Sequence, residues 1–144
     1  MSRKIAKVAV ARAVYAIDKP YDYLVPRELE GRLEPGMRVL VPFAVGNRGS
    51  DGIVLSLYEA PSAGQTLKSI RAALDDSPVL DAKAIQLALW MRERYFCTVY
   101  DCVKAMLPAG LYFSLRDCVA IKQGVDRERA YNAAGDTPAA VQLL

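Results

Sequence analysis

Histidine is absent from the 144 residues. That removes the usual general base, the commonest zinc ligand and every Ser-His or Cys-His arrangement. Cysteine is sparse: Cys97, Cys102 and Cys118 form an odd set with no C-x-x-C pair. Metal or disulfide use is therefore disfavoured, and buried free thiols are expected. No Gly-Lys dipeptide occurs, so a phosphate loop of the form G-x-x-x-x-G-K-[ST] cannot be built. No apolar run approaches the roughly 20 residues of a membrane span. Lys7 and Arg12 interrupt the stretch behind the basic start Met1-Ser2-Arg3-Lys4, so a signal-peptide core is missing. These absences predict a cytoplasmic protein without a membrane partner, and they exclude most routes to catalysis.

What is present is an ordinary globular composition, 53 % hydrophobic and 24 % charged, sufficient for one domain or one domain plus a fragment. The net charge is +3, and residues 1–12 hold Arg3, Lys4, Lys7 and Arg12 with no acid. Such a balance permits contact with nucleic acid without requiring it.

Alternation predicts a strand over Lys4 to Val14, with Val8, Val10, Arg12 and Val14 toward the core. Tyr23-Leu24-Val25 reads as a short strand stopped by Pro26. Pro35-Gly36 reads as a type II turn. Met37 to Val41 and Ile53 to Tyr58 read as paired strands joined by a flexible loop over 44–52, and Leu67 to Leu74 as a further strand. Short strands with turns between them suggest a small barrel or half-barrel. Asp81 is placed to cap a helix running to about Arg94. Its apolar arc, Ile85, Ala88 and Leu89 widened by Leu87, Trp90 and Met91, predicts deep burial against the sheet. Thr98-x-x-Asp101 reads as a capping box for a second helix ending before Pro108. Beyond about Leu111 the pattern weakens: 117–122 reads as one strand, and 126–136, polar and alanine-rich, is expected to be loosely ordered. Thr137-Pro138 opens a helix that stops after two turns, as in a truncated piece of a longer chain.

The stretch most suggestive of function is Ile17-Asp18-Lys19-Pro20-Tyr21-Asp22-Tyr23-Leu24-Val25-Pro26. Alternation sends Tyr21 and Tyr23 to one face and Asp22 to the other. An aromatic ring there could stack on a base, although Tyr23 reads better as core. The loop 44–52, with Arg48 at its tip, precedes a strand and so fits a surface hairpin, with or without a nucleic-acid contact, and not a phosphate cradle.

The order of motifs carries more than any one of them. D-K-P-Y-D-Y-L-V-P is followed by L-E-P-G-M-R-V-L-V-P-F, N-R-G-S-D-G-I-V-L, L-K-S-I, L-D-D-S-P-V-L, W-M-R-E-R-Y-F and A-M-L-P-A-G. From residue 5 to about 110 this resembles the N-terminal 3′-end DNA-binding domain of primosomal protein N′, the bacterial replication-restart helicase family PriA. The resemblance implies an α+β domain at 1–110: a small β-barrel-like antiparallel sheet with two packed helices. Residues 111–144 would be a linker and the beginning of a truncated winged-helix domain. It implies a monomeric binding module for the 3′-OH end of the nascent leading strand at stalled replication forks, with fork DNA as partner. It implies no enzymatic activity and no cofactor in this fragment. ATP, Mg, zinc, the helicase motor, single-stranded-DNA-binding protein and the other primosome proteins belong to the full-length family.

Carried over by position, the family's pocket falls on Tyr21, Asp22, Ala44 and Lys68. The resemblance gives Tyr21 the terminal base to stack on. It gives Asp22 the free 3′-hydroxyl, whose proton an internal phosphodiester lacks, and Lys68 a backbone phosphate, with Arg48 as a further cation. The family usually has glycine where this chain has Ala44, and a methyl group is a penalty if φ there is positive. Two other readings compete: a barrel-type protein-interaction module using Tyr21 and Tyr23, and a hydrolase pairing Asp22 with Asp18.

Overall fold

The computed structural model describes residues 2–44, 46–61 and 66–111. The chain divides into two units, 1–109 and 110–144, and the first is described below. The expectations for 117–122, 126–136, the winged helix and Cys118 lie outside the described residues.

Five strands form one antiparallel sheet in the order β2-β1-β4-β3-β5. They are β1 (Ser2–Val10), β2 (Tyr21–Leu24), β3 (Arg38–Phe43), β4 (Arg48–Pro61) and β5 (Ala72–Ala73). Alternation in β1 sends Ala6, Val8 and Val10 into the interior, where they meet Tyr23, Val25, Met37, Val39, Val41, Phe43, Val54 and Ile70. Between Lys7↔Ser56 and Val8↔Val54 the register shifts, leaving Leu55 as an extra residue. Such a bulge bends the strand and increases twist.

The bend helps bring the sheet's edges toward one another. Residues 68–73 are tied to both: Leu24 donates to the Lys68 carbonyl (2.9 Å) and accepts from Ile70 (3.0 Å), while Arg71 donates to Leu40 (2.9 Å). The sheet is thus barrel-like, but closure on the β2 side is a single parallel bridge, Leu24↔Ser69. Upstream of Leu24 the outer edge of β2 has no strand beside it among the described residues, and that gap becomes the site.

Several elements differ from the sequence expectation. β1 ends at Val10, not Val14: the chain turns at Ala11-Arg12, and Val14 is 63 % exposed instead of facing the core. Of Leu67 to Leu74, only Ala72–Ala73 forms a strand, because the segment crosses from one sheet edge to the other and cannot keep a ladder with either. β4 begins at Arg48, so much of the expected loop 44–52 is strand paired with β3, down to Phe43↔Arg48. Pro35-Gly36 does make the expected turn: Gly36 has φ +89° and Met37 donates to Glu34 (3.3 Å).

The helices are α1 (Ala82–Arg94) and α2 (Val99–Met106). Asp81 caps α1 by accepting from the Ala84 amide (2.7 Å). Thr98 and Asp101 form a complete capping box on α2. The expected deep burial of α1 against the sheet does not occur. Only Ile85 and Ala88 are buried, Leu87, Leu89 and Trp90 are exposed, and α1 packs mainly on α2, which in turn meets β1. Apolar residues every three to four positions established a helix, but not which part of its wide arc would find a partner.

Two ion pairs fasten the loops. Arg38 and Asp75 are both nearly buried. The Asp75 carboxylate accepts from the Arg38 backbone amide (2.9 Å) and from Nε (3.0 Å). Its hydrogen bonds to the guanidinium, and then its charge, raise the Arg38 pKa against desolvation, and the pair anchors the chain just after β5. Asp18, buried, accepts from Arg92 Nε (3.2 Å) and the Val99 amide (2.9 Å), which binds the loop after β1 to both helices. Cys97 and Cys102 are free thiols with sulfurs 3.3 Å apart. Burial, followed by the hydrogen bond to Cys97, pushes Cys102 up to about 12.

Candidate nucleic-acid interface

The gap beside β2 opens into a pocket of about 520 Å³ lined by Ile17, Tyr21, Asp22, Tyr23, Phe43, Ala44, Thr66, Leu67 and Lys68. Three consecutive residues of one strand cannot all point their side chains the same way. They share the pocket because it lies along the strand's edge, not over a face.

The backbone shows which groups meet that edge. Leu24 turns its N–H and C=O to residues 68–70, whereas Val25 donates inward to Lys4 (3.0 Å). Period two along the strand then turns the Asp22 amide and carbonyl to the same side as those of Leu24, toward the pocket. One residue thereby offers a backbone donor and a backbone acceptor at an open edge.

The side chains divide as alternation requires. Tyr23 is buried, and its hydroxyl donates to the Pro42 carbonyl (3.1 Å). Burial, with Tyr21 adding to it, pushes the Tyr23 phenol up to about 12. Tyr21 packs on the core from the pocket side. Its hydroxyl donates to the Ile17 carbonyl (2.6 Å), and its ring meets Phe43 edge-on at 5.1 Å. The Lys19 ammonium stands 5.7 Å over the same ring. Tyr21 is therefore a wall fixed at both ends.

Asp22 pairs across β1 with Lys7, which in turn pairs with Ser56 of β4. This puts it on the face opposite the core, next to Tyr58. Desolvation, then a hydrogen bond to the Asp22 carboxylate and its charge, raise the Tyr58 pKa. Lys7 Nζ stands 5.7 Å over the Tyr58 ring. The Asp22 Oδ1 atom is buried and has no hydrogen-bond partner among the described residues. A buried acceptor without a donor costs about 1–3 kcal/mol, more when charged.

Across the gap, Ala44 has φ +60°, in the left-handed region, followed by Gly46 at +85° and Asn47 at +51°. Lys68 Nζ donates to the Ala44 carbonyl (3.5 Å), and Arg71 donates to the Asn47 carbonyl (2.7 Å). Four of the five residues expected from the sequence, Tyr21, Asp22, Ala44 and Lys68, thus line one pocket. Arg48 does not: it opens β4 opposite Phe43 and is exposed. Asp18 is committed to Arg92 and Val99, which removes the Asp18–Asp22 pairing that the hydrolase reading required. Tyr58 and Lys7 were missed, because they reach Asp22 only through the β2-β1-β4 register, which no local pattern shows. Phe43 was legible as strand but not as pocket wall.

A family model described as the 3′ DNA-binding domain (3′BD), that of PriA, matches residues 7–108. The chain is 34 % identical over 122 residues to the replication restart protein PriA of Bacillus subtilis, covering 84 % of this chain and 15 % of that protein. It is 27 % identical over 133 residues to that of Treponema pallidum, covering 89 % of this chain and 20 % of the relative. For Chlamydia muridarum the figures are 27 % over 95 residues, with 64 % and 13 % covered. The chain therefore spans at most about a fifth of these relatives' length. With the match extending over most of the described sheet and both helices, the chain belongs to the 3′ DNA-binding domain family of PriA.

Proposed function

We propose that this domain binds the 3′-hydroxyl end of a DNA strand, without regard to sequence, as the end-reading module of a replication-restart protein. Its target is the nascent leading strand at a stalled fork. The domain binds and does not itself turn over nucleotide; a helicase motor and its ATP, Mg and zinc sites belong to the longer protein. It acts on cytoplasmic DNA alongside single-stranded-DNA-binding protein and primosome partners. Among the described residues no helix is long and apolar enough to cross a membrane.

The observation that carries the reading is the unpartnered, buried Asp22 Oδ1 at a pocket walled by Tyr21, Ala44 and Lys68. A free 3′-hydroxyl is a donor for that oxygen. An internal nucleotide or a 3′-phosphate brings no such proton and adds negative charge beside the carboxylate, so the same atom that accepts an end repels everything else. Tyr58 lies beside the same carboxylate, which raises its pKa after desolvation. Tyr21 gives the terminal base a rigid ring. The Asp22 backbone amide and carbonyl face the gap where the base's edge would lie, and Lys68 supplies a cation for the backbone phosphate.

The test is binding of forked DNA ending in 3′-hydroxyl or 3′-phosphate. Wild type should prefer the hydroxyl by about tenfold or more, and Asp22→Ala should lose that preference. Binding should also weaken steeply with salt. Equal wild-type affinity for both ends would refute the role given to Asp22.

A further inference from the structure

Beyond the pocket, exposed rings gather where the loop after β1 meets the end of α1. Val14, Tyr15 and Ile17 lie on the loop; Trp90, Tyr95 and Phe96 lie at the end of α1 and just after it, with Phe96 95 % exposed. The rings stand in two pairs, joined through the adjacent residues Tyr95 and Phe96. The Tyr15 and Phe96 rings stand 5.8 Å apart, and Trp90 and Tyr95 6.3 Å. Arg92 lies 5.3 Å over Tyr15, and Arg94 5.3 Å over Trp90.

A buried clamp ties the loop to the helices. Buried Asp18 accepts from Arg92 Nε and the Val99 amide, and its carbonyl accepts from Arg92 a second time (2.9 Å). The loop bearing Tyr15 is thus clamped to α1, which bears Trp90, and to α2, and the two helices flank Tyr95 and Phe96. Single exposed apolar residues are ordinary, but a fixed set of rings interleaved with guanidinium groups has the chemistry of a stacking platform for single-stranded nucleic acid. Rings and arginines are also common at protein interfaces, so the choice between the two rests on where the patch leads.

The patch also joins the pocket. Tyr15–Ile17 is one three-residue turn. At one end Ile17 lines the pocket and accepts from Tyr21; at the other Tyr15 carries the Phe96 contact. We propose that the unpaired nucleotides immediately 5′ of the terminal one run over this turn and stack on Tyr15 and Phe96, with Arg94 meeting their phosphates. The inference rests on the reading of the pocket as a 3′-end site.

The test uses the whole chain and oligothymidylates from the dinucleotide to the hexanucleotide, each with a 3′-hydroxyl or a 3′-phosphate. Trp90 is the single tryptophan and serves as reporter. Affinity should rise with length to about four nucleotides, and only the longer strands should quench Trp90. Phe96→Ala removes an almost fully exposed ring, so folding should be intact. It should weaken tetranucleotide binding by roughly tenfold while leaving dinucleotide affinity and the hydroxyl preference as they were. Tyr15→Ala should do the same. Affinity that does not rise past the dinucleotide overturns the proposal, as does a Phe96→Ala protein that binds the tetranucleotide like wild type; the surface would then be left for a protein partner. In either case the pocket reading stands or falls separately, on whether the dinucleotide with a 3′-hydroxyl is preferred.

Discussion

Replacing Ala44 by glycine should stabilise the protein, against the usual sign of such a change. Ala44 is exposed and has φ +60°. Holding an L-residue with a Cβ in the left-handed region costs roughly 1–2 kcal/mol. Glycine removes that cost but adds unfolded-state entropy worth roughly 0.5–1 kcal/mol. Because the methyl is exposed, little packing is lost. The net expectation is a gain of roughly 0.5–1 kcal/mol, seen as a rise of about 2–5 °C in Tm for a unit of this size. Ala105→Gly is the control: also exposed, but within α2, it should lose about 1 kcal/mol. Thermal unfolding of the two variants followed by circular dichroism therefore tests a difference in sign. If Ala44→Gly destabilises as Ala105→Gly does, the left-handed backbone argued for this corner of the pocket is wrong. If it stabilises, affinity for 3′-hydroxyl DNA should hold or rise, since the Ala44 carbonyl and its Lys68 contact are kept.

Two further outcomes test the scaffold. A Cβ on Gly36 would sit 2.0 Å from the Leu80 carbonyl oxygen at φ +89°, whereas one on Gly31, at φ +80°, meets nothing within 4 Å. Urea denaturation should show Gly36→Ala losing about 3 kcal/mol or more and Gly31→Ala only about 1 kcal/mol; equal losses would mean that backbone angle alone sets the cost. For Tyr23, the folded pKa of about 12 lies above the ordinary 10, so the folded state holds the proton longer than the unfolded state. Stability should be level below about pH 10 and fall by up to about 2–3 kcal/mol as pH rises toward 12. Tyr23→Phe should remove most of that fall, at the expense of the bond to Pro42.

Local chemistry made much of this legible in the sequence. The strand alternation of β1, the turn at Pro35-Gly36, the cap at Asp81 and the capping box at Thr98 each depend on a few neighbouring residues, and each is present. Order and spacing of motifs identify the family, and the missing histidine and Gly-Lys pair disfavour the commonest catalytic arrangements. Segments whose fate depended on a distant partner were misread. Val14 has an apolar side chain but no neighbour to bury it, and Trp90 lies on an apolar arc wider than α2 can cover. Leu67 to Leu74 has the composition of a strand but bridges two edges.

The stretch from Ile17 to Pro26 shows the division most clearly. Period two by itself separated Tyr21 and Tyr23 from Asp22, and that follows from the geometry of any extended chain. What the three residues face was decided by the sheet. The bulge at Leu55, the antiparallel order and the single bridge at Leu24 leave one strand edge open, bring Ala44 and Lys68 across from it, and set Tyr58 against the Asp22 carboxylate. These are pairings between residues about 20 to 45 positions apart. They are fixed by burial of a shared core and not by any local preference, so only the tertiary structure turns an aromatic-acid cluster into a pocket.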